Sequence, residues 1–215
     1  MSPQKSTLFK YAELLASCTR ARLTGTRGAE EIYDIQITDC LPSLEFLPEN
    51  GRVIDVGSGG GLPGIVWAIE RPNLSVTLLD SINKKCEAVR GIIEALGVKN
   101  VDVVCSRSED YARTNRESFD LAGARALSSA GVTAELLAPL VRKGGRILTF
   151  KGEKVHDELS EVGGKWGMLG LSEPSLNFYG GEDSSRCVVI WEKLKKTPST
   201  FPRRTGLAGT KFFWE

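Results

Sequence analysis

The segment VIDVGSGGGLPG (53–64) constrains the fold more than any other stretch of the chain. Its β-branched start reads as a buried strand that runs directly into a turn carrying five glycines, then into a helix with Pro63 near its first position. With no side chains at Gly57, Gly59, Gly60 and Gly61, bare N–H groups and the helix N-terminus are expected to meet a carboxylate or phosphate of a ligand.

The same change of period recurs downstream. VIDV (53–56) is followed by a helix over 63–70, SVTLLD (75–80) by a helix over 83–96, and VDVVC (101–105) by a short helix near 108–113; FDLAGA (119–124), a helix over 130–141 and RILTFK (146–151) continue the series. Such alternation predicts a mostly parallel sheet with helices on both faces, an α/β fold. A helix from 154 to about 168 follows, then strands near 176–179 and over CVVIWEKL (187–194). Only the turn-like GGEDSS (180–185) separates these two strands, so they read as an antiparallel hairpin at one sheet edge. Ahead of the sheet, Leu8, Tyr11, Leu14, Leu15 and Cys18 stand at helical spacing and predict an amphipathic helix over 6–22 with Ser6 and Thr7 as caps. A second helix covers 29–40, and Pro42 and Pro48 end this preface. The expected division is a helical extension at 1–48 packed on the domain, an α/β domain at 49–195 and a basic, aromatic tail at 196–215.

Composition narrows the chemistry. With 215 residues a single core needs no staples, and five cysteines without a C-x-x-C pair give neither a disulfide framework nor a zinc pattern. His156 is the only histidine, which removes most histidine metal sites and every triad unless that residue is the base; no metal is expected. No stretch approaches the roughly 18 apolar residues of a membrane span, and MSPQKSTLFK lacks a signal-peptide run, so a soluble, cytoplasmic protein is expected. The net charge of +1 conceals an asymmetry: 1–28 carry +4, 193–215 carry +5 and the remainder −8. The two basic ends are either a rim suited to phosphates or solvated termini.

Gly59-x-Gly61-x-x-Gly64 formally matches a dinucleotide fingerprint, so an NAD-dependent oxidoreductase is one reading. The register disfavours it, because Gly57 closes the strand and Leu62 falls where the third glycine belongs. Asp80 ends the next strand 25 residues after Asp55, a suitable distance for a carboxylate that accepts both ribose hydroxyls of a nucleoside; otherwise Asp80 and Ser81 cap the following helix.

TGTRG (24–28), DVGSGGGLPGI (55–65), LLDSINKK (78–85), SRSED (106–110), ARA (124–126), LTFKGE (148–153) and FPRRTG (201–206) occur in one order along nearly the whole chain. This set resembles the RsmG (GidB) family, which methylates guanine N7 in 16S ribosomal RNA with S-adenosylmethionine. The resemblance implies a Rossmann-like methyltransferase fold, with a seven-stranded, mostly parallel sheet, an antiparallel edge strand and an N-terminal helical extension. It also implies a monomer acting on the small ribosomal subunit or an assembly intermediate, at one guanosine of the decoding-region loop. By resemblance Gly57, Ser58, Gly59, Gly61 and Leu62 contact the methionine portion of the cofactor, Asp80 its ribose, and Ser108 and Glu109 its adenine surroundings, with Asp55 and Ser81 beside them. Arg125 would lie between cofactor and target base, and Arg27, Lys151, Arg203 and Arg204 would meet RNA. The chain departs from the family at Gln36, where a histidine is expected, and at Thr205, where a proline is.

Guanine N7 already offers a lone pair, so its methylation needs alignment rather than a base. An Arg125 guanidinium cannot donate to N7 during attack, so it is expected to hold O6 or a phosphate, or alternatively to anchor a loop or the cofactor carboxylate. Ala124-Arg125-Ala126-Leu127 replaces the Asn-Pro-Pro-aromatic signature of amine methylation, and Cys105 reads as a small buried strand residue rather than a cytosine nucleophile. Trp67, Ile69, Trp166 and Trp191 read as core, His156 as surface helix, Lys84 and Lys85 as a solvated face. Phe201, Phe212, Phe213 and Trp214 either stack on unpaired bases or pack on the domain. A methyltransferase for a small metabolite and a non-enzymatic ribosome-binding factor are the remaining alternatives.

Overall fold

The computed structural model describes residues 2–181 and 184–215. The chain forms two compact units, Met1–Ser106 and Arg107–Glu215.

In the first unit, helix α1 spans Pro3–Ser17 and starts three residues earlier than its spacing suggests. Pro3 suits a first turn that needs no N–H, and Ser2 is the cap, its hydroxyl accepting from Lys5 N at 3.2 Å. Leu8, Tyr11, Ala12 and Leu15 form its buried face. Helix α2, Ala29–Ile32, does not stop at Cys40: it widens into a π turn over Tyr33–Ile37 and tightens into a 3₁₀ run over Thr38–Phe46 that contains Pro42. Proline has no N–H for an α-helical bond, so the chain passes it in the tighter form. Ser43 then accepts from the Trp67 indole N–H at 2.8 Å and donates to Cys40 O, fastening this segment to α3.

Strand β1 (Gly51–Val56), α3 (Gly64–Glu70), β2 (Leu74–Asp80), α4 (Asn83–Leu96) and β3 (Val101–Cys105) follow. All three strands are parallel, with Asp55 opposite Leu78 and Asp80 opposite Cys105. Val53, Ile54, Ile65, Trp67 and Leu78 are fully buried between them. Helix α4 ends where Gly97 turns left-handed at φ 73° and its N–H reaches back to Ile93 O and Glu94 O. Ile69, read as core, is partly exposed.

The second unit contains α5 (Ser108–Thr114), β4 (Phe119–Arg125), α6 (Ala130–Leu137), β5 (Val141–Lys151), α7 (Val155–Val162), β6 (Ser175–Phe178) and β7 (Cys187–Glu192). Helix α7 stops well short of Met168 because Gly163 and Gly164 are both left-handed, and a 3₁₀ turn over Lys165–Leu169 takes its place. β4 and β5 are parallel, whereas β7 runs antiparallel to both β5 and β6, giving the expected edge hairpin. Of its turn GGEDSS, Glu182 and Asp183 lie outside the described residues. Trp166 and Trp191 pack at 5.2 Å in the core of this unit, and His156 is exposed, its ring against Phe178. Within the first unit the strands lie in the order β3-β2-β1, and within the second in the order β4-β5-β7-β6.

Several terminal charges are consumed inside the fold instead of forming a rim. Lys10 donates to Ala95 O, and Lys193 is buried, its ammonium bonded to Ala138 O, Val141 O and Thr197 Oγ1. Burial lowers the Lys193 pKa from 10.5 to about 8, with Glu117 opposing the shift and Arg116 adding to it. Between these values the unfolded chain holds a proton that the folded chain has released. Stability measured against a Lys193→Met variant is therefore expected to rise with pH across that window and to level off above it. Urea unfolding of both proteins checks this, and a pH-independent difference would contradict it.

Candidate functional site

The glycine turn is closed on itself. Gly57 N and Ser58 N both donate to Leu79 O (2.7 and 3.1 Å), Gly61 N and Leu62 N to Ser58 O, and Gly59 N to the Asp80 carboxylate at 2.9 Å. The expectation of bare donors therefore needs correction at Gly57, Gly59 and Gly61, whose N–H groups are spent on the turn. The helix N-terminus is likewise occupied, because Asp55 Oδ2 accepts from Gly64 N at 2.9 Å and Gly61 O accepts from Ile65 N. Asp55 is fully buried, so it braces the start of α3 from beneath instead of reaching a ligand.

Three glycines are packed so closely that a side chain would displace its neighbours. A Cβ on Gly64 would stand 2.2 Å from Leu78 Cδ2, one on Gly61 2.5 Å from Ile65 Cδ1, and one on Gly60 3.1 Å from Leu15 Cδ2. Gly59 differs: its φ of 56° favours glycine, but a Cβ there would meet no protein atom nearer than 3.9 Å. The protein therefore leaves room in front of Gly59 while packing closely behind Gly60, where Tyr11 also donates to Gly60 O at 2.7 Å.

Asp80 is the hub of this unit. Its Oδ2 accepts from Gly59 N and its Oδ1 from Ile82 N at 2.8 Å, so one carboxylate fixes both the glycine turn and the entry to α4. Each oxygen keeps a further lone pair, and two acceptors held rigidly at the end of β2 suit a pair of vicinal hydroxyls. Ser81 beside it is exposed, and so is Ile82, at 48%. Sequence reasoning passed over Ile82; the signal was an apolar residue just after the acidic one, with no partner in the α4 pattern.

Arg27 is exposed and shares with Arg22, Thr24, Thr26 and Cys18 the lining of a cavity of about 610 Å³ between α1 and α2. Gln36 holds this loop by donating to Thr24 Oγ1 and Thr26 Oγ1 at 2.5 and 2.6 Å.

In the second unit Ser108 donates to Leu136 O, and Glu109 Oε1 accepts from Gly206 N at 2.7 Å. Both side chains are buried. Thr205 donates to Asp110 at 2.7 Å. Arg125 ends β4, half-buried, and Ala126 after it adopts φ 55°, a strained conformation for a residue with a Cβ.

Two arginine and lysine assignments are corrected here. Arg203 does not face solvent: it forms two bonds of 2.6 Å to Glu135, which is only 2% exposed, and a third to Lys211 O. Lys151 donates to Ser128 O and pairs with Glu158 at 2.7 Å, while Glu158 also accepts from Ala130 N, so the lysine ties β5 to the start of α6. Arg204 is exposed. Phe201, Phe213 and Trp214 are buried, with Trp214 seated on Gly131, where a Cβ would come within 2.3 Å of the indole. Among the described residues no cluster of histidine, cysteine or acidic side chains could hold a metal ion, and no helix is long and apolar enough to cross a membrane.

Residues 4–187 match the GidB family, described as rRNA small subunit methyltransferase G. A protein of that name from Rubrobacter xylanophilus is 41% identical over 214 residues, covering 95% of this chain and 82% of the relative; one from Petrotoga mobilis is 35% identical over 205 residues, covering 92% and 90%. Among solved structures, MtNAS in complex with S-adenosylmethionine aligns with a TM-score of 0.58 at 16% identity, covering 88% and 73% of the two chains. An rRNA methylase from Streptococcus thermophilus aligns at 0.53 and 17% identity, covering 74% and 95%. At such identities the structures establish the fold, a Rossmann-like methyltransferase sheet, whereas the sequence relatives establish descent: the chain belongs to the rRNA small subunit methyltransferase G family.

Proposed function

We propose that this chain transfers the methyl group of S-adenosylmethionine to N7 of a guanosine in 16S ribosomal RNA. The observation that carries the reading is the Asp80 carboxylate, buried, doubly anchored by Gly59 N and Ile82 N, and still able to accept from two hydroxyls. Asp80 would hold the ribose, Ile82 would cover one face of the adenine, and the open side of Gly59 would admit the methionine portion. Ser108 and Glu109 are the proposed adenine neighbours in the second unit. Bound there, the cofactor supplies an electrophilic sulfonium methyl.

The same geometry speaks against a dinucleotide. A pyrophosphate needs free N–H groups at the glycine turn and the following helix, and here Asp55, Asp80, Leu79 and Ser58 have taken them.

Transfer to N7 requires no proton to be removed, in keeping with a single histidine that is exposed on α7. The chain's contribution is alignment, which supplies several kcal/mol in bringing two reactants into line. Arg125 would position the guanine through O6 or a phosphate, with its charge permanent at any working pH. Arg27 and Arg204 would contact RNA phosphates, and the enzyme would act as a cytoplasmic monomer. Tritium transfer from labelled cofactor to ribosomal RNA lacking this modification, followed by mapping of the base, tests the proposal. Label at N7 is expected; label on an exocyclic amine or ring carbon would refute it.

A further inference from the structure

Two cysteines converge beneath the Asp80 carboxylate. Cys105 ends β3 and is exposed, contrary to its reading as a buried strand residue, because β3 is the outermost strand of the order. Cys86, one turn into α4, is buried. The Cys86 thiol donates to Asp80 O at 3.4 Å and lies 3.9 Å from the carbonyl of Val104, the residue before Cys105. Burial, with Cys105 and Asp80 adding to it, pushes the Cys86 thiol up to about 11, so it rests protonated as that donor. Cys105 pairs in register with Asp80, and Ser106 N donates to the same Asp80 carbonyl. The remaining cysteines take no part in this cluster: Cys40 donates to Gln36 O, Cys187 is buried in the second unit, and Cys18 lines the cavity beside Arg27.

We infer that Cys86 and Cys105 form an oxidisable dithiol site that hydroperoxides convert to an intramolecular disulfide, weakening cofactor binding through Asp80. The exposed Cys105 thiolate attacks the peroxide; an S–O bond forms, the O–O bond breaks and water or an alcohol leaves. The Cys86 sulfur then attacks the Cys105 sulfur, the S–S bond forms, and hydroxide departs with the Cys86 proton as water. The two thiols lose two electrons and the peroxide gains them. Closing the sulfurs to about 2.05 Å removes the S–H donor from Asp80 O and draws the first turn of α4 toward the end of β3. Those are the two segments that bracket Asp80. The loss of affinity rests on the proposed ribose role of Asp80, whereas formation of the bond does not.

The test is treatment of the intact protein with hydrogen peroxide, tryptic mass mapping, and calorimetry with S-adenosylhomocysteine before and after. The expected result is a cross-link between peptides 86–90 and 100–107 with a loss of two hydrogens. Affinity should fall about tenfold, the size of one lost hydrogen bond, and recover on addition of dithiothreitol. Cys105→Ser should bind as the reduced protein does and be insensitive to peroxide. Oxygen added to Cys105 without a cross-link, or a cross-link that leaves affinity unchanged, would overturn the inference. Failure of the reduced protein to bind S-adenosylhomocysteine would instead sink the cofactor reading, while the cross-linked peptide would still decide the thiol pair.

Discussion

Replacing Asp80 with asparagine is expected to weaken binding of S-adenosylhomocysteine by about a hundredfold, since each hydrogen bond to a charged group is worth roughly 1.5–3 kcal/mol and two hydroxyls are at stake. The amide offers an acceptor to only one of Gly59 N and Ile82 N, so folding stability should fall too, by about 1–3 kcal/mol. The two effects are separable. Gly64→Ala places a methyl 2.2 Å from Leu78 Cδ2 and 3.1 Å from Asp55 Oδ2, so it stresses the same turn without touching the carboxylate of Asp80. If affinity simply followed stability, the two variants would lie on one line when calorimetric affinity is plotted against urea-unfolding stability. Asp80→Asn should instead lie far below it, and equal affinity in Asp80→Asn and the wild type would remove the ribose role.

The second large effect concerns the C-terminal tail. Arg203→Ala leaves the Glu135 carboxylate charged and nearly inaccessible, and breaking a buried pair in this way costs about 3–5 kcal/mol. Arg204→Ala, one residue on and exposed, should change stability by less than about 0.5 kcal/mol. The double variant Arg203→Ala/Glu135→Ala should be less destabilised than the sum of its parts, because the orphaned charge is gone. Urea unfolding of the wild type, the single variants Arg203→Ala, Glu135→Ala and Arg204→Ala, and the double variant measures all three quantities. RNA binding gives the converse: a filter-binding assay should register Arg204→Ala as a loss of affinity with a shallower salt dependence, by about one phosphate contact. An Arg203→Ala protein as stable as the wild type would show that the tail is held by its aromatics alone.

That contrast between neighbouring arginines marks the boundary of what a linear reading can reach. Helix α4 was legible at both ends because its signals are local: polar residues at its start, a regular apolar face, and Gly97 at its stop. The glycine turn was legible for the same reason, as five glycines between a β-branched run and a helix admit few conformations. Where its N–H groups go was not, since the acceptors Leu79 O and Asp80 come from the next strand, and only the register of β1 against β2 brings them there. Arg203 looked identical to Arg204 because its partner Glu135 lies 68 positions earlier. Lys151 was similarly invisible until the loop before α6 and helix α7 supplied Ser128 and Glu158. Cys105 is exposed where a buried strand residue was expected, since exposure of a strand residue depends on whether a further strand lies beyond it.

Gln36 and Thr205, set apart in the sequence, also gain a physical account. Gln36 spans Thr24 and Thr26 with one amide, and Thr205 gains a bond to Asp110. Both residues stabilise loops, the first beside the arginine-lined cavity and the second next to the Gly206 contact with Glu109.

Crystals of this protein grown or soaked with S-adenosylhomocysteine address the proposed site without the intermediary of any assay. The ribose hydroxyls should be found within hydrogen-bonding distance of both Asp80 oxygens, with the chain of the ligand passing the open side of Gly59. A nucleoside bound elsewhere, or an Asp80 carboxylate engaged only by Gly59 and Ile82 while the ligand lies at another place, would contradict the assignment.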